Sequence, residues 1–231
     1  MADLADKVAI VTGASSGIKA AITDHLTGTN AEVHRVSRRG PVPIDVTDRA
    51  AVAGFVDGLP RLDILVCAAA EQVPGRRLDQ LTPENWDRIV GVTLTGAFNF
   101  VHAGLGKLRQ ARGDVVFIAS VSGQWPDLSG PAYQAGKAGM IGLARGAGLE
   151  LHREGIRFSV INPGMVDTPI MLKRPVPPGP EQTALMLRSE DVAEAAFFMV
   201  TLAPRAWVPE LTILPAALQA LGDTVLPNPP A

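Results

Sequence analysis

Tyr133 is the only tyrosine in a chain of 231 residues, and Lys137 follows it by four positions in "GPAYQAGKAG". On a helix that spacing sets both side chains on one face, a turn apart. A phenol near pKa 10 is a poor base at neutral pH, and a neighbouring ammonium favours the phenolate, which makes the tyrosine able to give or take a proton. Upstream, Ser120 in "FIASVSGQ" closes an apolar run, so its hydroxyl stands at a strand end, ready to hold a substrate oxygen beside Tyr133. A second constellation lies near the start, where "VAIVTGASSGIKAAI" runs from an apolar stretch through a glycine turn into a helical pattern. Gly13 and Gly17 permit a tight turn and close backbone approach, and the helix start beyond them offers free amides to a pyrophosphate.

The arginines of "VHRVSRRG" bear on which dinucleotide would sit there. An acid at the end of the second strand would bind the adenosine ribose of NAD; here Ser37 stands in its place and Arg38 and Arg39 follow, which favours NADP(H) over NAD(H). Two solvated loop arginines are the alternative. Asp45, followed by Val46 in "PIDVTD", is set to accept from the adenine amino group or to cap the next helix.

These residues need a scaffold that gathers them at one sheet edge. Short apolar runs alternate with longer helical patterns, the mark of βαβ units and a parallel sheet covered on both faces. Seven strands are expected, at Val8–Thr12, Ala31–Val36, Val42–Asp45, Leu62–Ala68, Asp114–Ile118, Arg157–Ile161 and Glu210–Leu214. Helices are expected at Gly17–Leu26, Arg49–Asp57, Glu84–Leu108, Tyr133–His152 and Glu190–Leu202. Thr82 with Pro83, and Ser189 before Glu190 and Asp191, read as helix starts. "KRPVPPGPEQTALML", residues 173–187, reads as a loop bordering a cleft, and residues 216–231 as an irregular proline-rich tail. The whole reads as a single doubly wound α/β domain, residues 1–231.

A net charge of −2 with scattered arginines gives no field for nucleic acid or a membrane surface. The start lacks the basic residues of a signal peptide, and no apolar run approaches the 18 or so residues that span a bilayer. Cys67, the one cysteine, sits in an apolar run as a buried thiol, and His25, His34, His102 and His152 show no paired spacing, so no metal site is expected. A soluble cytoplasmic protein fits these features.

Over nearly its whole length the chain resembles the short-chain dehydrogenase/reductase family. The family's T-G-x-x-x-G-x-G turn matches as Thr12, Gly13, Gly17 and then Lys19 in place of glycine; its serine and Y-x-x-x-K match at Ser120, Tyr133 and Lys137. The resemblance implies hydride transfer between NADP(H) and a carbonyl or secondary alcohol, with Tyr133 as proton donor or acceptor, Ser120 orienting the substrate oxygen, and Lys137 lowering the tyrosine pKa while binding the nicotinamide ribose. The expected cofactor contacts are Gly13, Ser15, Ser16, Gly17, Ile18 and Lys19 in the turn, Ser37, Arg38, Asp45 and Val46 on the adenosine side, and Tyr133 and Lys137. In "NPGMVDTP", Pro163 and Gly164 would pass under the nicotinamide, Val166 would meet its carboxamide through the backbone, and Thr168 would bond carboxamide or phosphate.

Several positions depart from the family pattern. Its N-N-A-G reads Cys67, Ala68, Ala69, Ala70, which leaves only backbone contacts, chiefly from Ala68 and Ala69, to the cofactor. Its helix asparagine reads Thr93, whose hydroxyl still bonds a water and so keeps a weakened or rerouted proton relay. Lys19 opposes the helix dipole unless an anion sits beside it, so it is read as a phosphate contact. Val121, Trp125, Met165, Met171 and the loop from Leu172 to Met186 favour a neutral, hydrophobic small-molecule substrate. The small residues Gly139, Gly142, Ala144 and Gly146 suit packing against a second subunit, and a homodimer or homotetramer is expected by resemblance. The competing readings are a binding or regulatory protein with an eroded cofactor site, and a non-redox isomerase or lyase using Tyr133.

Overall fold

The computed structural model describes residues 4–218. Strands β1 (Val8–Thr12), β2 (Glu32–Val36), β3 (Ile64–Cys67), β4 (Asp114–Ile118), β5 (Arg157–Pro163) and β6 (Glu210–Ile213) form one sheet in the order β2-β1-β3-β4-β5-β6. Every neighbouring pair is parallel, with Val8 beside Glu32 and Ala9 beside Ile64 fixing the register of β1. The order reverses between β1 and β3, the switch point at which open α/β sheets bind ligands.

The expected strand at Val42–Asp45 does not form, so the sheet has six strands rather than seven. Only a single bridge, Val36 to Val42, joins this segment to β2. The cause is local: Pro41 and Pro43 flank Val42 and carry no N–H to extend the ladder.

Helices α1 (Ile18–Thr27), α2 (Arg49–Asp57), α3 (Pro83–Val90), α4 (Gly96–Ala111), α5 (Pro131–Leu151), α6 (Pro180–Ala184) and α7 (Ser189–Val200) complete the described chain. Alternate strand residues supply two cores. Ile10, Leu65, Cys67, Phe117 and Phe158 pack against α2, α4 and α5, whereas Ala9, Val11, Val66, Val116 and Ile161 pack against α1 and α7. Strands buried on both faces explain why the sequence shows continuous apolar runs.

The single long helix expected at Glu84–Leu108 is instead α3 and α4 joined through a π-helical segment, Gly91–Thr95, that carries Thr93. Together Pro83–Ala111 are long and apolar enough to cross a membrane by length and composition, contrary to the sequence expectation. Ile89, Phe100 and Leu108 along it are nonetheless fully buried within the molecule. Thr82 caps α3 as expected, accepting from the Asn85 N–H at 3.2 Å. Ser189 does not cap α7; Arg188 holds that position and donates its backbone N–H to Asp191 at 2.7 Å. The segment expected as a loop at 173–187 contains α6, and Leu187 bridges to Val166. Most of the proline-rich tail lies outside the described residues.

Candidate active site

At the C-terminal edge of the sheet lies a cavity of about 610 Å³, and the glycine turn forms one wall. Gly13 has φ +73°, and a Cβ there would stand 2.9 Å from the Ala69 Cα, so only glycine lets β1 turn this close to the end of β3. Thr12 braces the same corner: its hydroxyl accepts from the Ala68 and Ala69 N–H groups at 3.0 and 3.1 Å. These two bonds tie the end of β1 to the end of β3. Cys67 is buried, and desolvation raises its thiol pKa, which keeps it inert.

All but three of the expected cofactor contacts line this one cavity: Gly13 through Lys19 without Ala14, Ser37, Arg38, Asp45, Val46, Ala68, Ala69, Tyr133, Lys137 and Thr168. Pro163, Gly164 and Val166 line a second, smaller pocket instead, together with Ser120. Ile18, Ala119, Tyr133, Thr168 and Ile170 face both, so the two spaces meet at the tyrosine. Lysines 19, 137 and 173 and arginines 38 and 39 line the larger cavity against one acid, Asp45.

Lys19 occupies the first turn of α1, which has neither an acid nor a capping side chain. Its stem folds over the turn, with Cδ 3.0 Å from where a Gly13 Cβ would be, and it therefore faces inward. Burial, aided by the charge of Lys173, lowers its pKa. Lys173 was not expected here; it is presented by the 3-10 turn Pro169–Lys173, far along the chain from Lys19.

Ser37 is buried, and its hydroxyl has no hydrogen-bond partner within the described residues. An orphaned hydroxyl on the wall of a cationic cavity, next to Arg38 and Arg39, fits an anionic, hydroxyl-rich ligand such as a phosphorylated ribose. Arg38 leans on Glu71 at 3.8 Å but remains exposed. Asp45 does not cap α2: it accepts from Thr47 N–H and hydroxyl at 2.9 and 2.7 Å, which lowers its pKa, and Asp48 caps the helix.

Tyr133 and Lys137 share one face of α5 as the spacing requires, with Lys137 Nζ 5.6 Å from the phenol ring centre. Lys137 is 2% exposed and donates to the Ile118 carbonyl at 2.6 Å. Burial, with the Lys19 charge, pushes it down to about 7. The expected lowering of the tyrosine pKa is not found in the bare protein. Burial and the negative charge of Asp127 push the phenol up to about 12, against a hydrogen bond from Ser120 and the charges of Arg174 and Arg76. Tyr133 is thereby held as the phenol. Ser120 lies two residues past β4 and caps the 3-10 turn Val121–Gly123, its Oγ accepting from the Ser122 N–H at 3.2 Å.

Thr93 is fully buried under Gly136 of α5, lines neither cavity, and its hydroxyl has no partner within the described residues. Of the residues expected near the substrate, Val121, Met165 and Met171 line the small pocket and Trp125 does not. The expectation of few charges is corrected as well: Arg76 and Arg174 also line it. Neither was singled out in the sequence, because nothing local distinguishes "GRR" or "KRP" from a solvated turn.

The family and the fold are shared with known proteins. Residues 7–176 match the sequence model of the short chain dehydrogenase family. An uncharacterized oxidoreductase of Staphylococcus epidermidis is 30% identical, with 93% of this chain and 100% of that protein aligned. A further one from Staphylococcus aureus is 31% identical over the same shares. Among solved structures, an oxidoreductase of the short chain dehydrogenase/reductase family from Burkholderia thailandensis superposes with TM-score 0.80 at 28% identity, covering 90% of this chain and 91% of that one. The fold is shared too with 3-ketoacyl-(acyl-carrier-protein) reductase from Brucella melitensis, solved with NADH, at TM-score 0.80, 23% identity and 91% and 97% coverage.

Proposed function

The chain belongs to the short-chain dehydrogenase/reductase family of oxidoreductases, and we propose that it is an NADP(H)-dependent enzyme interconverting a carbonyl and a secondary alcohol. The observation that carries this reading is one continuous cavity lined by the glycine turn, by the cations Lys19, Lys173, Arg38 and Arg39, and by Tyr133 with Lys137. When bound, a nicotinamide supplies the hydride in reduction and accepts it in oxidation.

The chain's own residues do the rest. Ser120 holds the substrate oxygen. In reduction Tyr133 gives its phenolic proton to that oxygen as the carbonyl carbon takes the hydride, so the product is the alcohol and the tyrosine is left as phenolate. Burial keeps Tyr133 as the phenol before that step but makes it a weaker acid, a rise that the Ser120 hydrogen bond and the charges of Arg174 and Arg76 oppose. Lys137 steadies the phenolate and the ribose, and solvent returns the proton. Gly13, Ser15, Ser16, Gly17 and Ile18 cradle the pyrophosphate, Lys19 and Lys173 neutralise it, and Ala68, Ala69 and Val46 border the adenosine. Pro163, Gly164, Val166 and Thr168 border the nicotinamide. Thr93 acts through packing under α5.

NADP(H) is preferred to NAD(H) because Ser37 replaces the ribose-binding acid, while Arg38 and Arg39 line the cavity beside it. Arg38→Ala should weaken NADPH binding about 10- to 100-fold and NADH binding far less, as measured by nicotinamide fluorescence, since one charge-assisted contact is lost. Equal losses would refute the assignment. The protein also self-associates in this reading, through the outer faces of α4 and α5. There Phe98 and Leu149 are exposed, and nothing lies within 4 Å of a Cβ built on Gly142 or Gly146.

A further inference from the structure

Ser120 has a second hydroxyl beside it. Two residues on, Ser122 is 5% exposed, and Ser120 donates to its Oγ at 3.2 Å. Ser120 Oγ also accepts from the Ser122 N–H at 3.2 Å, so one neighbour meets the serine with both of its polar groups. Among the described residues the Ser122 side chain makes no other hydrogen bond. The turn that carries both serines is pinned to α5. A Cβ on Gly123 would stand 2.8 Å from the Lys137 carbonyl carbon and 2.9 Å from the Ala138 nitrogen, so Val121–Gly123 lies directly on the helix, one turn beyond Tyr133. Gly123 and Gln124 donate to the carbonyls of Ser120 and Val121, each at 2.9 Å, which closes the 3-10 turn. Both hydroxyls therefore keep a fixed place relative to Tyr133, and both line the small pocket with it.

In this arrangement the one proton of the Ser120 hydroxyl points at Ser122. A carbonyl substrate needs that proton, because its oxygen can only accept. Hydroxyl pairs usually stand about 2.7–2.8 Å apart, so a 3.2 Å contact is a weak bond that yields to a better acceptor. Once Ser120 turns to the substrate, its second lone pair faces Ser122, whose own O–H has no other acceptor among the described residues. Ser122 then donates to Ser120 Oγ through both N–H and O–H. A hydroxyl that accepts twice is a more polarised donor, since hydrogen bonds in a chain strengthen one another in a low-dielectric site. The demand on it grows as the substrate oxygen gains charge while its carbon takes the hydride.

We propose that Ser122 is a positioning residue for the reaction at Tyr133: its hydroxyl turns to donate to Ser120, which frees and polarises the Ser120 O–H to hold the substrate oxygen. Ser122 acts through Ser120 in this role. The inference rests on the oxidoreductase reading for its substrate oxygen, whereas the pairing of the two hydroxyls stands apart from that reading.

The test compares the parent chain, Ser122→Ala, Ser120→Ala and the double variant in NADPH-dependent turnover of a ketone panel, with each fold checked by circular dichroism. Ser122→Ala should lower kcat about 3- to 12-fold, the worth of one hydrogen bond, with KM and NADPH affinity nearly unmoved. Ser120→Ala should lose about 10²- to 10³-fold. Adding Ser122→Ala to it should cost less than about twofold more, because the two hydroxyls act as one. A reading without substrate comes from Tyr133, the only tyrosine in the chain. Its phenolate accepts from Ser120 as the substrate oxygen would. Near-ultraviolet absorbance after a stopped-flow jump to high pH, taken before the fold is lost, should show its ionisation shifted up by about half a pH unit in Ser122→Ala and by more in Ser120→Ala. Unchanged kcat in Ser122→Ala overturns the proposal, as does a rise in KM alone or a full additional loss in the double variant. If the parent turns over no ketone, the oxidoreductase reading falls, and the tyrosine titration decides the hydroxyl pair: a shift supports it and none overturns it. Turnover in the parent with none of the expected responses sinks this inference alone.

Discussion

Lys137 shows how one side chain is set against the stability of the fold that holds it. Burial and the Lys19 charge lower its pKa from 10.5 to about 7. Between those values the unfolded chain binds a proton that the folded chain does not, so this group's contribution to stability rises with pH across that window and is least favourable below about 7. Lys137→Met should therefore stabilise the protein near pH 7 by about 1–3 kcal/mol, net of the bond lost to Ile118, and flatten the rise towards pH 10 while removing activity. Urea unfolding across pH checks this; a variant less stable at pH 6 than the parent would contradict it. The residue scale is also where the sequence was most readable. Gly13, Gly17, Tyr133 and Lys137 act through spacing within one turn or one helix, and that spacing survives folding. Lys173, Arg76 and Arg174 reach the site only through tertiary closure of turns distant in the chain, which no local pattern records.

Elements bring those residues to one edge, and specific ties hold them in register. Arg157 at the start of β5 donates to both oxygens of Asp114 on β4, at 2.6 and 2.8 Å, and to the carbonyls of Leu202, Ala203 and Ala206 beyond α7. The pair is only slightly exposed, and burial raises the Asp114 pKa against the pull of the guanidinium. Arg157→Ala leaves Asp114 and three carbonyls without their partner and should cost about 3–5 kcal/mol in denaturant unfolding. A loss below 1 kcal/mol, on the order of an exposed pair, would contradict this account. Most elements were legible because buried parallel strands write continuous apolar runs. The strand at Val42–Asp45 was misread because its apolar residues sit between prolines, and hydropathy does not register a missing N–H. The π segment at Gly91–Thr95 was illegible because its residues keep a helical pattern.

At the scale of the whole molecule, a chain with net charge −2 gathers five cations into one cleft, so its surface field and its cavity field differ in sign. The fold class followed from alternating strands and helices, whereas the charge of the small pocket did not, because composition averages it away. The proposed self-association belongs to this scale too. Leu149, 75% exposed, stands one and two turns beyond Gly146 and Gly142 on α5. Leu149→Glu should shift sedimentation from oligomer to monomer; an unchanged sedimentation profile would remove α5 from the interface.

Turnover with NADPH across a set of ketones and oxo acids, compared between the parent and Tyr133→Phe, tests the central claim most directly. The account predicts NADPH oxidation coupled to alcohol formation in the parent, and a loss of about 10²- to 10⁴-fold in kcat with NADPH binding retained in the variant. Undiminished turnover in Tyr133→Phe would contradict it.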